Sequence, residues 1–142
     1  MNALDLLRND HQRILNLFQQ VHERGSATEQ ESQPGLEDIS RAIHVHQKMV
    51  RDILYPELEG HSQGPWFILS QSKADRELEE MVDTKADQAS KRAWTQRRDK
   101  LRDLWLDHIE RSEMNLFPEV ERLLGPGKLL ELFYEMDEIR TH

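Results

Sequence analysis

One element of this sequence occurs twice, and each copy begins with a histidine. His46–Gly60 reads HQKMVRDILYPELEG, and His108–Gly125 reads HIERSEMNLFPEVERLLG. In both copies, a leucine eight residues after the histidine is followed by an aromatic residue, proline, glutamate, an aliphatic residue and a second glutamate. We interpret the repeated element as the second helix of each half of a pseudo-symmetric bundle.

Both copies lie in stretches whose apolar residues recur at helical spacing. Glycine is scarce, at 6 of 142 residues, and strand-type alternation is absent. Together these features favour helices with solvated outer faces. We predict four main helices, at about Asn2–Arg24, Leu36–Glu59, Trp66–Asp83 and Ser90–Leu124.

The connections between these helices are short and rich in polar residues or turn formers. Gly25–Gly35 is predicted to be a surface loop, Gly60–Pro65 a break between helices, and Asp83–Lys91 a turn. The glycine-rich stop at Gly125–Gly127 separates the fourth helix from a short amphipathic tail helix, Lys128–Arg140.

Four helices with short connections predict an up-down-up-down bundle. The predicted fold class is therefore all-α, with residues 1–142 forming one domain, a four-helix bundle with a short C-terminal fifth helix. Pro56 and Pro118 lie late in the second and fourth helices, where the missing N–H predicts bends or local breaks.

The tail helix has two possible roles. Its apolar residues are Leu129, Leu132, Phe133 and Met136. We expect them to cover the open end of the bundle, and the alternative is that they form a contact in a homodimer.

The composition argues against several classes of function. The formal net charge of −8 argues against nucleic acid, because no basic stripe is present. There are no cysteines, which excludes disulfides, thiolate metal sites and thiol catalysis. No apolar run approaches the ~20 residues of a membrane-spanning helix, and Met1–Arg8 lacks the layout of a signal peptide. We expect a cytoplasmic protein without a membrane partner.

Each predicted main helix carries one ionisable residue near the middle of its apolar stripe. These residues are His11, His46, Asp75 and His108. A bundle directs all four toward its common axis, and with a shared register three imidazoles and one carboxylate converge. This ligand set suits iron, zinc or manganese.

The same four residues also allow a metal-free interpretation. A histidine on an apolar face is often a core residue satisfied by a hydrogen bond, and Asp75 could pair with one of the histidines as a buried salt bridge. His44 faces away from His46 on the same helix. The three remaining histidines of the chain are expected at the surface.

Three segments resemble motifs of the hemerythrin-like, or HHE cation-binding, family. LLRNDHQRILNLF at Leu6–Phe18 is similar to its opening helix, including an Asp-His pair. HVHQKMVRDILYPEL and DHIERSEMNLFPEVERLLG are similar to the motifs of its second and last main helices. The resemblance covers most of residues 2–140 and is weakest over the third helix. It implies a bundle that holds a non-haem di-iron centre and binds or processes oxygen, nitric oxide or iron.

The resemblance also shows where this chain departs from the family pattern. His11, His46 and His108 match family ligands. Val50 and Ser112 stand where the family has glutamates that bridge the two metals. On the third helix, Asp75 stands where the family has a histidine.

These departures argue against an intact di-iron centre. Bridging carboxylates offset the repulsion between two metals and set their spacing, and neither valine nor serine replaces them. Two reserve carboxylates remain, Glu113 next to Ser112 and Glu79 one helical turn after Asp75. Even if both reserve carboxylates bind metal, the second helix offers only one ligand, His46.

We therefore expect a metal-binding protein with a reduced, mononuclear His/Asp site. Its partners would be a metal ion, with iron favoured and zinc possible, and a small diatomic ligand such as oxygen or nitric oxide. Its role would be binding or sensing rather than catalysis. The alternative is a metal-free bundle that serves as an interaction module, in which Val50 begins to repack the site as hydrophobic core. A redox enzyme with a working di-iron centre ranks third, because it needs both reserve carboxylates.

Overall fold

The computed structural model describes residues 1–23, 29–83 and 91–141. Nearly all of these residues are helical, and none of them forms a strand. The α-helices are α1 (Ala3–Glu23), α2 (Glu29–Met49), α3 (Tyr55–Glu59), α4 (Gly64–Asp83), α5 (Lys91–Arg111) and α6 (Phe117–Thr141). Two π-helical turns, π1 (Val50–Leu54) and π2 (Ser112–Leu116), join α2 to α3 and α5 to α6.

The helices form a bundle of four long segments. These are α1, then α2 continued by π1 and α3, then α4, and then α5 continued by π2 and the first part of α6. Helix α1 packs against α2 and α6, and α4 packs against α2 and α5. The predicted all-α bundle is therefore confirmed. None of the described helices is both long and apolar enough to cross a lipid bilayer.

Each copy of the repeated element contains a π-helical turn just before its proline. The backbone N–H of Tyr55 donates to the carbonyl of Val50, and that of Phe117 donates to the carbonyl of Ser112. A proline has no N–H to donate, and its ring clashes with the carbonyl four residues earlier. The wider turn lets the helix continue through the proline. The local breaks predicted at the two prolines are thus present as π turns.

The second main helix begins earlier than the sequence analysis predicted. Helix α2 starts at Glu29, so residues 29–35 of the predicted loop Gly25–Gly35 are helical, and that part of the prediction is wrong. Glutamate and glutamine are good helix formers, and acidic residues suit a helix N-terminus, so polarity was a poor sign of a loop here. Gly35 serves close packing instead, because a Cβ there would lie 2.7 Å from Cγ2 of Val21. Residues 24–28 and 84–90, which hold the rest of that loop and most of the predicted turn, lie outside the described residues.

The C-terminal part of the chain folds back onto the start of α1. Gly125 has φ 74° and ψ 167°, a positive φ that favours glycine, and it turns the chain within α6. Beyond it, Leu129, Leu132 and Met136 are buried in one cluster with the first turns of α1. The tail therefore covers one end of the bundle, as predicted.

Two apolar clusters flank a single polar layer in the bundle. Leu7 belongs to one cluster and Ile14 to the other, so His11 lies between the clusters on α1. His46 and His108 occupy the same intermediate position on α2 and α5. The bundle thus places its buried histidines at one level, with apolar packing above and below.

The packing of the tail can be tested with two neighbouring leucines. Leu132→Ala should lower the free energy of unfolding by about 2–4 kcal/mol, because it leaves a cavity in the cluster. Leu130→Ala should change it by less than about 1 kcal/mol, since Leu130 is 46% exposed. Urea denaturation measures both. Equal losses for the two variants would contradict this packing.

Candidate metal centre

Three of the four predicted site residues come together in the bundle core. His11 on α1, His46 on α2 and His108 on α5 are all buried. Their ring centroids are 4.8 Å, 5.1 Å and 5.3 Å apart. One ligand atom from each ring lies within 4.8 Å of the others, and this is the group of potential metal ligands found among the described residues.

A carboxylate faces the Nδ1 atom of each imidazole. Asp10 accepts a hydrogen bond from Nδ1 of His46, at 2.7 Å between Oδ2 and Nδ1. Glu113 accepts one from Nδ1 of His11, at 2.8 Å. These bonds place the proton of both rings on Nδ1 and leave Nε2 as the atom with the free lone pair.

The third imidazole has a looser carboxylate partner. Oδ1 of Asp75 lies 3.7 Å from Nδ1 of His108, beyond hydrogen-bond distance, and Nδ1 has no other partner among the described residues. The other oxygen of Asp75 accepts a 2.6 Å hydrogen bond from the hydroxyl of Tyr55. Nε2 of Gln47 donates to Oδ1 at 3.5 Å.

The Nε2 atoms of the rings meet where no proton arrangement satisfies them all. Nε2 of His46 and Nε2 of His108 are 3.1 Å apart. Since His46 carries its proton on Nδ1, this contact is a hydrogen bond only when His108 carries its proton on Nε2. That tautomer then turns a lone pair toward the carboxylate of Asp75. Nε2 of His11 is buried and has no hydrogen-bond partner among the described residues.

Aromatic rings enclose this cluster of imidazoles. Trp105 stacks on His108, with centroids 4.8 Å apart and an interplanar angle of 14°. Phe117 lies parallel to His11 at 5.8 Å. The indole N–H of Trp105 donates to the backbone carbonyl of His11 at 3.4 Å. The rings are therefore held in place by packing as well as by their carboxylates.

Asp75, the fourth predicted ligand, is close to the cluster but outside the group of three. Its carboxylate faces the Nδ1 side of His108, whereas the Nε2 atoms of His108 and His46 face each other. In this arrangement it is placed to orient a ring, as the other two carboxylates are.

The reserve carboxylates behave differently from each other. Glu113 contacts the centre through Nδ1 of His11. Glu79 instead forms an ion pair with Arg51 at 2.9 Å, at the surface between α4 and π1. Neither has an oxygen in the group of potential ligand atoms.

The two positions at which bridging glutamates were expected are both buried. Val50 belongs to an apolar cluster. The hydroxyl of Ser112 is 3.5 Å from Nε2 of His108. Neither side chain can bring a carboxylate to the imidazoles.

Two residues of the centre were not predicted from the sequence. Asp10 is buried beside His46. The available signal in the sequence was that Asp10 directly precedes His11. In the sequence pattern, Tyr55 is only the aromatic residue before a proline. Its counterpart in the second copy is Phe117, so the hydroxyl of Tyr55 was the signal that the two copies differ.

Burial keeps the imidazoles of His11 and His108 neutral. Desolvation lowers the pKa of His11 far below its usual value, and the neighbouring imidazoles add to the effect. Desolvation also lowers the pKa of His108 to about 4, against the opposing influence of Asp75. At neutral pH both rings are therefore uncharged and can act as ligands.

The buried carboxylates stay ionised. Burial alone would raise the pKa of Asp10, but the hydrogen bonds from His46 and Arg13 outweigh it and the net shift is downward. The pKa of Asp75 is also lowered, since its interactions with His108 and Tyr55 exceed the effect of burial. The centre thus combines neutral nitrogen ligands with negative charge behind them.

This donor set fits a transition metal ion. Neutral imidazole nitrogens bind zinc, copper, iron and nickel, and metal-bound histidines commonly donate their second N–H to a carboxylate. The Nδ1 bonds to Asp10 and Glu113 reproduce that arrangement, and the unpartnered Nε2 of His11 gives it an available ligand atom.

A family model described as the hemerythrin HHE cation binding domain matches residues 2–120 of the chain. The match includes all three histidines and ends before the tail helix. Comparisons with curated proteins and with solved structures returned no match.

The lowered histidine pKa values predict that acid destabilises the metal-free protein. Protonation of His108 favours the unfolded chain at any pH between its folded pKa, about 4, and its ordinary value of 6.5. Its contribution to stability is therefore complete above about pH 6.5 and falls by ~2 kcal/mol at pH 5. His11 should act in the same direction. Urea denaturation with a chelator present measures the change.

The matched variants separate this effect from general acid lability. His108→Gln should make the free energy of unfolding less dependent on pH between pH 5 and pH 7. His44→Gln should leave that dependence unchanged, because His44 is exposed. A wild-type stability that is constant over this range would contradict the assignment of a neutral, buried His108.

Proposed function

This chain belongs to the hemerythrin HHE cation-binding domain family, and we propose that it binds one divalent metal ion through His11, His46 and His108. One observation carries the proposal. Three buried imidazoles from three helices bring one ligand atom each within 4.8 Å of one another. Burial of so many polar ring nitrogens costs free energy unless they find partners, and a metal ion would provide one.

The spacing of one pair of the nitrogens supports this role. Two nitrogens bound to one metal at about 2.1 Å, with an angle of about 90–110° between them, are ~3.0–3.4 Å apart. The Nε2 atoms of His46 and His108 are 3.1 Å apart. A metal ion at this point would also remove the tautomer conflict, because both rings could then keep their protons on Nδ1.

Charge around the centre favours a cation. Asp10, Asp75 and Glu113 lie behind the three imidazoles. Arg13 offsets part of this charge through its 2.7 Å contact with Asp10. We propose that these carboxylates orient the rings. Asp75, which the sequence analysis predicted as a metal ligand, would act chiefly by orienting His108. It could bind the metal directly only after a shift of its side chain.

We further propose one metal ion rather than two. Val50 and Ser112 provide no bridging carboxylate, and Glu79 is held at the surface by Arg51. We favour iron because the hemerythrin-like family typically binds it. Zinc also suits three imidazoles. A bound iron would supply open positions for a small ligand such as oxygen or nitric oxide. The chain's own contribution is a rigid, enclosed set of three nitrogens, suited to binding or sensing.

A metal-free bundle that acts as an interaction module is the second candidate function. The observation in its favour is the 3.1 Å contact between His46 and His108, which a shared proton can also satisfy. It leaves Nε2 of His11 without a partner, and so we rank it second.

The proposal predicts stabilisation by metal. Binding to the folded state alone adds ~2.7 kcal/mol at a hundredfold excess over Kd, so Fe(II) or Zn(II) should raise the Tm of untagged, chelator-treated protein. His108→Ala should abolish the rise, and His44→Ala should preserve it. Metal content after anaerobic reconstitution should approach one per chain. A wild-type protein that shows neither bound metal nor a shift in Tm would exclude the proposal in favour of the metal-free bundle.

The carboxylates behind the rings give a second prediction. Asp10→Asn should weaken metal affinity about 10–100-fold, because the amide orients His46 less well and makes it less basic. Asp38→Asn is the matched control. Asp38 also pairs with an arginine three residues later, but at the surface and about two helical turns before His46 on α2. Competition with a chromogenic chelator measures both affinities. Equal metal affinities of the Asp10→Asn and Asp38→Asn variants would show that Asp10 does not act on the centre.

A further inference from the structure

A cleft of about 290 Å³ lies beside the centre, where α2, π1 and α3 face α4. Its lining includes Asp75 and Tyr55, so it reaches the carboxylate that contacts His108. A cavity of about 150 Å³ is known to hold benzene in another protein. The cleft is therefore large enough for one small ring with a polar substituent.

Two polar groups that line the cleft, on Gln47 and Asp75, can accept hydrogen bonds. Gln47 is only 4% exposed, and its Oε1 accepts no hydrogen bond from the described residues. Its Nε2 reaches Asp75 at 3.5 Å, the outer limit of a hydrogen bond, so the amide can turn at little cost. The carboxylate of Asp75 can accept further bonds, whereas the hydroxyl of Tyr55 already donates to it. A molecule that satisfies these atoms must donate hydrogen bonds.

The rest of the lining supplies an apolar surface, and the charges of the whole cleft, Asp75 included, balance. Val50 and Ile68 line the cleft, and both also pack in the apolar cluster at that end of the bundle. Two carboxylates and two guanidinium groups line it as well, and the 2.9 Å ion pair between Arg51 and Glu79 holds one of each. The opposite charges of the lining therefore balance, and a ligand needs no net charge to match the cleft.

The internal repeat explains why the cleft lies on this side. Val50 and Arg51 occupy the positions that Ser112 and Glu113 hold in the second copy. Glu113 turns onto His11, whereas Arg51 turns outward to Glu79. The residue five positions after the histidine thus leaves the space next to the π turn open in the first copy.

We propose that this cleft binds a small neutral organic molecule, with an apolar body on Val50 and Ile68 and a hydrogen-bond-donating head, such as a primary amide, at Gln47 and Asp75. The ligand would lie next to the carboxylate that faces His108. Its binding does not depend on a metal, so the cleft and the metal proposal can fail separately.

Three probes that share one ring test the chemical class. Benzamide is neutral and donates, benzoate is an anion that only accepts, and benzamidine is a cation. Titration of chelator-treated, ¹⁵N-labelled protein, followed by amide chemical shifts, should give benzamide a Kd at least about tenfold lower than that of benzoate. The shifts should centre on π1 and the middle of α4. Tighter binding of benzoate or of benzamidine than of benzamide would overturn the proposed class, and no saturable binding of benzamide would overturn the site.

Two serines on α4 provide a matched pair of variants. Ser72 lines the cleft and Ser70 does not, yet each donates only to a backbone carbonyl three residues earlier. Ser72→Phe should fill the cleft and raise the Kd of benzamide at least about tenfold, while Ser70→Phe should leave it unchanged. Gln47→Met should weaken benzamide without filling the space. Unchanged binding in both Ser72→Phe and Gln47→Met would show that the probe binds elsewhere.

Discussion

Burial of three imidazoles beside carboxylates is the interaction on which the rest of this structure depends. Each ring brings two nitrogens into a core that offers no water, and a buried polar atom without a partner costs free energy. The chain satisfies the outer nitrogens with Asp10 and Glu113, and more loosely with Asp75. The inner nitrogens of His46 and His108 face one another, and it is on this side of the cluster that we propose a metal ion binds.

The repeated element shows how two similar segments come to do different work. Both copies place a histidine one turn before a π-helical turn, and both π turns precede a proline. The backbone is thus the same, and the difference lies in the residue five positions after each histidine. Glu113 turns inward to His11, and Arg51 turns outward to Glu79. One half therefore closes around the imidazoles, while the other leaves a cleft beside them.

Most of the fold and part of the centre could be predicted from the sequence, because both follow from helical periodicity. The stripes placed His11, His46 and His108 on inner faces, and packing of those faces brings the three together. Periodicity does not report the direction of a side chain at the edge of a stripe. Asp75 lies on the Nδ1 side of His108 and accepts a hydrogen bond from the hydroxyl of Tyr55, which is 20 residues away in sequence.

Other features depended on tertiary contacts that no local pattern reveals. The early start of α2 goes with the close approach of Gly35 to Val21. The pairing of Asp10 with His46 joins residues 36 positions apart, although Asp10 stands directly beside His11 in the sequence. Expecting a loop from polar composition failed at α2 because glutamate and glutamine favour helices as readily as they favour solvent.

The tail helix also has a consequence for the order in which the protein can assemble. The cluster at that end of the bundle combines Leu4 and Leu7 with Leu132 and Met136, residues that are synthesised at opposite ends of the described chain. A growing polypeptide can form the other cluster, and bring the three histidines together, before residues 129–136 have left the ribosome. Until then the first turns of α1 keep an apolar surface open to solvent. The topology thus allows the imidazoles to dock before that end of the bundle closes.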